Sequence, residues 1–206
     1  MEESADPIAQ AKALLRSQIR ARRSAMDPSI RQDYGQAMAE HARVRLQTGP
    51  PVTGPIACTW SLPTEPPTDP LITGLLASGF PVVTPRIEDD LTLAWIQTTA
   101  QTELVPGPMG IRTPTGSQRV DLASCAVIVL PALALDRFGT RLGQGGGYFD
   151  RALGELRPHA LGGPLRIGMA FAAEVLGRLP RQAHDQAVDL ILTEEAVTEV
   201  DSDYEG

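Results

Sequence analysis

Two spacings of apolar residues run through this chain, one helical and one strand-like. Over residues 8–25, Ile8, Leu15 and Ile19 line one side of a predicted helix. Lys12, Arg16, Arg20 and Arg23 line the neighbouring side at spacings of four, four and three. No acid lies between Ala9 and Met26. Like charges at i,i+4 each cost ~0.2–0.5 kcal/mol in an isolated helix. A solvated basic face is the commoner cause of such a stripe; the functional one is a cationic surface facing a polyanion. Asp27-Pro28 predicts the start of a second helix, to about Leu46, with Ile30, Tyr34, Met38 and Val44 near one face.

Short apolar, β-branched runs then predict strands over residues 55–60, 80–85, 91–96, 126–130, 165–170 and 187–193. Thr68 is placed to cap a helix over 69–78. Residues 106–111 read as a rigid loop. Helices alternating with short apolar strands predict an α/β fold: a single domain over 1–206, a three-layer α/β/α sandwich around a largely parallel sheet, with mixed pairing admitted. The acidic tail, about 195–206, is expected to fray.

The run Ala126 to Leu130 opens onto five glycines in the nine residues from Gly139 to Gly147, and Tyr148 onward reads as a helix. Strand, glycine loop and helix start can present several backbone N–H groups to a phosphate, with Arg137 and Arg141 supplying charge. The bland alternative is a mobile loop. No Gly-Lys-Ser/Thr is present, so this is not a Walker loop, and the glycine spacing is not the dinucleotide fingerprint. Asp150 in the first helical turn is ordinary capping chemistry. Beside a triphosphate it would be repelled by ~4 kcal/mol per unit charge at ~4 Å and an effective dielectric of ~20, unless a Mg²⁺ bridged them.

Two more positions carry chemistry. Trp60 and Glu65 follow the end of the first strand, where open α/β sheets bind ligands; core packing and an exposed turn are the plain alternatives. Asp189 interrupts an apolar strand, so its charge calls for an arginine, hydrogen bonds or a metal.

Composition narrows the class. The 206 residues are 42% hydrophobic, without an apolar run approaching the ~18 residues needed to span a bilayer. The segment MEESADPIAQAK lacks the order of a signal peptide, so a cytoplasmic protein with no membrane partner is expected. Cys58 and Cys125 sit in or beside apolar runs and are expected to be reduced, buried thiols. A net charge of −7 argues against nucleic-acid binding. Lys12 is the only lysine, and His41, His159 and His184 form no metal pattern.

The segment LPALALDRFGTRLGQGGGYFDRAL closely resembles the signature of the 5-formyltetrahydrofolate cyclo-ligase family, also called 5,10-methenyltetrahydrofolate synthetases. Lys12 with Arg16, Trp60 through Thr68, Pro85-Arg86, Gly110-Ile111, His184-Asp185 and Asp189 resemble further family positions. The resemblance implies ATP-dependent closure of 5-formyltetrahydrofolate by a monomer acting on small molecules. It implies ATP binding by Lys12, Arg16, Arg141, Gly143, Gln144, Gly145, Gly146, Gly147 and Tyr148. Arg141 and Tyr148 are the implied catalytic residues; Trp60, Glu65 and Tyr148 the folate contacts; Asp150 and Asp189 the Mg²⁺ ligands. Phe149 stands where the family often has Tyr, and Thr113 where it often has Glu. A sugar-phosphate isomerase-like enzyme and a non-catalytic folate-binding protein are the alternatives.

Overall fold

The computed structural model describes residues 6–90 and 92–201, without the side chain of Met109. Leu91, expected to open a strand, and the end of the acidic tail at 202–206 lie outside the described residues.

Two helices come first, α1 (Pro7–Ala25) and α2 (Pro28–Thr48), each begun by an Asp-Pro pair. The carboxylates of Asp6 and Asp27 accept the N–H of Ile8 and Ser29, and proline at the first helical position gives up no needed donor. Next follow β1 (Ile56–Ala57), α3 (Asp69–Ala77), β2 (Val82–Ile87), β3 (Leu93–Thr98), β4 (Leu104–Pro106) and β5 (Arg112–Pro114). The rest is β6 (Val127–Pro131), β7 (Ala134–Asp136), β8 (Arg141–Leu142), α4 (Tyr148–Gly154), β9 (Leu165–Met169), β10 (Val175–Leu176), β11 (Leu190–Leu192) and β12 (Val197–Glu199).

The main sheet has the order β12-β11-β9-β6-β1-β2-β3. β11, β9, β6, β1 and β2 run parallel, and the edges β12 and β3 are antiparallel. The chain builds outward from β1 through β2 to β3, then returns to β1's other side and walks outward from β6. The reversal between β1 and β6 is a topological switch point, where ligands bind beyond the carboxyl ends of the strands.

Period-two alternation along β6 explains the layers. Val127 and Val129 pack with Met38, Leu46, Leu71 and Ile72 of α2 and α3; Ile128 and Leu130 pack on the other face with Leu153 of α4. α2 turns Gly35, Met38, Ala42 and Leu46 inward, while Ile30 and Val44 are exposed, so the apolar side expected from sequence is partly wrong. Cys58 and Cys125 are both free and buried, as expected; burial pushes their thiols up to about 12 and about 11.

α1 packs elsewhere. Its Ile19 joins Leu133, Ala134, Leu142 and Leu179 around a second sheet, β10-β7-β8. Gly168 lets that sheet lie against β9, since a Cβ there would stand 2.7 Å from the Leu135 side chain. Asp136, at the end of β7, accepts three backbone N–H groups, from Phe138, Thr140 and Leu179, and so fixes the turn leading to Arg141.

Candidate active site

A cavity of about 280 Å³ opens at the switch point. Thr59 and Trp60 just beyond β1, and Pro131 at the end of β6, form its floor. Lys12 and Arg16 reach it from α1, Arg141 from β8, and the glycine loop, Tyr148 and Asp150 from beyond. Gln182, His184 and Asp185 complete the wall.

The basic stripe of α1 divides by the turn of the helix. Lys12 Nζ donates to Asp185 Oδ2 at 2.5 Å and to Gln182 Oε1 at 3.1 Å. Arg16 Nε donates to the Gly143 carbonyl at 2.9 Å. Burial, then the charge of Arg20, pull the Arg16 pKa down; Asp185 and Asp150 work against that shift. Arg20 stands at the rim and grips Gln144. Arg23 faces inward to a buried pair with Glu174.

Three arginines draw the glycine loop's carbonyls outward: Arg16 holds Gly143, Arg20 holds Gln144, and Arg151 holds Gly146. Among the described residues, no N–H group of residues 143–147 donates a hydrogen bond. The conformation needs glycine: φ is +104° at Gly145 and +67° at Gly147. α4 is only 7 residues long, so arginines and loop amides, rather than a long helix dipole, make the site receptive to anions.

Arg141 is buried and donates to Asp150 Oδ1 at 2.7 Å, with its guanidinium 5.7 Å from the Phe149 ring centroid. Its Nε is buried without a partner. Arg137, also expected to charge the loop, instead lies over Phe138 and pairs with Asp201 outside the cavity. Trp60 faces the cavity with Arg112 stacked 4.6 Å from its ring centroid. Glu65 is 4% exposed, and its oxygens accept the Leu62 N–H and the Gln144 side-chain amide. Thr68 does not cap α3: its hydroxyl accepts the Ser61 N–H and closes the loop that carries Glu65. Of the Pro85-Arg86 pair only Pro85 lines the cavity; Ile111 and Thr113 line it as well.

Asp189 requires a correction. It precedes β11 and does not line the cavity. Its carboxylate accepts the Arg166 N–H at 2.8 Å, beside a guanidinium whose pKa burial lowers and Asp189 raises. The structure therefore does not bring Asp189 together with Asp150. Asp150 shares the cavity with Glu65 and with Asp185, a carboxylate for which no role was expected. Burial pushes Asp185 up, but the Gln182 N–H, the Lys12 ammonium and His184 outweigh it and hold the carboxyl below its ordinary range. Asp189→Ala should therefore lower stability by about 1.5–3 kcal/mol, the range for a hydrogen bond to a charged group. Melting in EDTA, then with Mg-ATP, checks this: the Mg-ATP-induced rise should equal that of wild type. A smaller rise with unchanged stability in EDTA would return Asp189 to a metal role.

Among the described residues, no three His, Cys, Asp or Glu side chains gather as a metal cage. One or two carboxylates are what a Mg²⁺ shared with phosphates requires. Lys12, Arg16 and Arg141 are matched by Glu65, Asp150 and Asp185, so the lining has no net charge to offer a polyanion. A divalent cation beside Asp150 would tip that balance, and the donor set fits one.

The sequence profile described as the 5-formyltetrahydrofolate cyclo-ligase family matches residues 8–194. The chain is 32% identical over 187 residues to the 5-formyltetrahydrofolate cyclo-ligase of Escherichia coli K12, covering 88% of this chain and 99% of that one. It is 29% identical over 190 residues to the enzyme of the same name from Mycolicibacterium smegmatis, covering 88% and 93%. The solution structure of Aquifex aeolicus 5,10-methenyltetrahydrofolate synthetase superposes with a TM-score of 0.74 at 26% identity, covering 95% of each chain. A site at the switch point and these likenesses along most of the chain agree: the chain belongs to the 5-formyltetrahydrofolate cyclo-ligase family.

Proposed function

We propose that the protein converts 5-formyltetrahydrofolate and ATP into 5,10-methenyltetrahydrofolate, ADP and phosphate. The observation that carries this function is one cavity with two chemistries. Its lining combines Lys12, Arg16, Arg141 and a loop with free N–H groups with Trp60, Leu62, Leu93, Ile111 and the Glu65 carboxylate. A triphosphate suits the first set, and a flat heteroaromatic ring with N–H donors suits the second. The proposed chemistry is transfer between two bound substrates, which the site must hold in line.

The formyl oxygen attacks the γ-phosphorus and the bond to ADP breaks. N10 then attacks the activated carbon, and phosphate leaves as the ring closes. Arg141 neutralises charge on the transferring phosphoryl group, Lys12 and Arg16 bind the remaining phosphates, and residues 143–147 offer their N–H groups. Tyr148 aligns the reacting groups beside the loop. Asp150, with Asp185 as the second carboxylate, would hold Mg²⁺, which supplies further charge neutralisation. A monomer acting on two small molecules is part of the proposal. No described helix is long and apolar enough to cross a membrane. A cytoplasmic location remains part of the proposal.

Purified protein with Mg-ATP and 5-formyltetrahydrofolate should develop the absorbance of the methenyl product. EDTA, or a non-hydrolysable ATP analogue in place of ATP, should abolish it. Product formed in EDTA would remove the metal; product formed without ATP, or none under the full conditions, would remove the proposed reaction.

A further inference from the structure

Resting on the two-substrate function above, we propose that Gln144 is a positioning residue that couples the two sets of lining residues. It carries the only side chain in residues 143–147, the rest being glycine. Its Oε1 accepts from Arg20 Nε at 3.1 Å and Arg20 NH2 at 3.0 Å, and its carbonyl accepts from the same NH2 at 2.7 Å. Its Nε2 donates to Glu65 Oε1 at 2.8 Å. One side chain thus ties α1, the glycine loop and the Glu65 loop together, across separations of 124 and 79 residues.

This tie lies in the wall of the cavity, whose lining includes Glu65, Gln144 and the loop glycines. The glycines flanking Gln144 give the loop freedom to move, and the Gln144 amide opposes that movement. A ligand N–H that takes Glu65 as its acceptor displaces the amide and releases the loop. A nucleotide arriving second meets a loop already free, and a nucleotide arriving first frees Glu65. Coupling of this kind is reciprocal by linkage.

The test is equilibrium binding of a non-hydrolysable ATP analogue with Mg²⁺ to the full chain, with and without saturating 5-formyltetrahydrofolate. In wild type the folate should tighten the analogue by about fivefold or more. In Gln144→Ala the analogue alone should bind more tightly than to wild type, and the folate effect should shrink below about twofold. Gln144→Glu keeps an acceptor for Arg20 but sets two carboxylates against each other, and should behave like the alanine variant. An undiminished folate effect in either variant, or none in wild type, overturns the coupling while leaving the proposed reaction standing. Failure of wild type to bind either compound overturns both.

Discussion

Glu174→Ala is expected to lower stability by about 3–5 kcal/mol, because it strands a buried guanidinium. Arg23 is 1% exposed and Glu174 3%. The pair is bidentate, with Arg23 Nε on Oε1 at 2.8 Å and NH2 on Oε2 at 2.5 Å. Arg23 also donates to the Ala132 carbonyl at 2.7 Å, and Glu174 accepts the Phe171 N–H. Without the carboxylate, the charge keeps a carbonyl and the Phe171 ring, 5.3 Å away, but no counter-ion. Urea unfolding of the two proteins measures the difference; a loss under about 1 kcal/mol would show that the pair is not a matched buried charge. Replacing both partners, Arg23→Met with Glu174→Leu, should recover much of the loss, since neither charge then remains buried. Arg23 lies on the helix that presents Lys12 and Arg16, so the pair also fixes that helix's rotation. The single variant should weaken nucleotide binding even where it stays folded.

The largest catalytic effect is expected at Arg141. Arg141→Lys should lower kcat by about 10²–10³, the usual consequence of removing one preorganised donor from a developing charge. Lysine keeps a charge but not the planar fork that reaches Asp150 and the cavity together, nor the stacking on Phe149. The KM for 5-formyltetrahydrofolate should change little, because Trp60 and Glu65, not Arg141, are the proposed folate contacts. Steady-state kinetics with each substrate varied in turn, beside melting curves in EDTA, separates lost chemistry from lost folding. A fall in kcat below tenfold in a folded variant would exclude Arg141 from charge neutralisation.

Much of the frame was legible because burial leaves a period. β6 is apolar on both faces, Leu165, Ile167 and Met169 alternate along β9, and α2 carries an Asp-Pro start. The hairpin of β4 and β5 and the small sheet of β7, β8 and β10 were not legible, since strands of two or three residues repeat no pattern. Helical spacing found the basic stripe but could not divide it. Only the fold shows that Lys12 and Arg16 face the cavity while Arg23 faces the core. Asp189 stood out because Val188 and Leu190 flank it. Flanking residues report the burial of their own side chains, not the direction of the carboxylate between them, which turns to the Arg166 N–H. Asp185 resembled a family position with no role attached, because an acid beside histidine in a turn looks like ordinary surface.

The position of α1 has a consequence for the order in which the protein is made. α1 leaves the ribosome ahead of the sheet, yet its partners are distant: Arg23 meets Ala132 across 109 residues, and Lys12 meets Asp185 across 173. The sheet can begin to assemble from β1, β2 and β3, which are neighbours in sequence and in space. α1 must wait, a basic helix whose inner face is covered only when β7 and β8 arrive. The cavity is therefore finished by the segment around Asp185 rather than by α1, and a nascent chain stopped short of Asp185 has a sheet under construction but no place to bind a substrate.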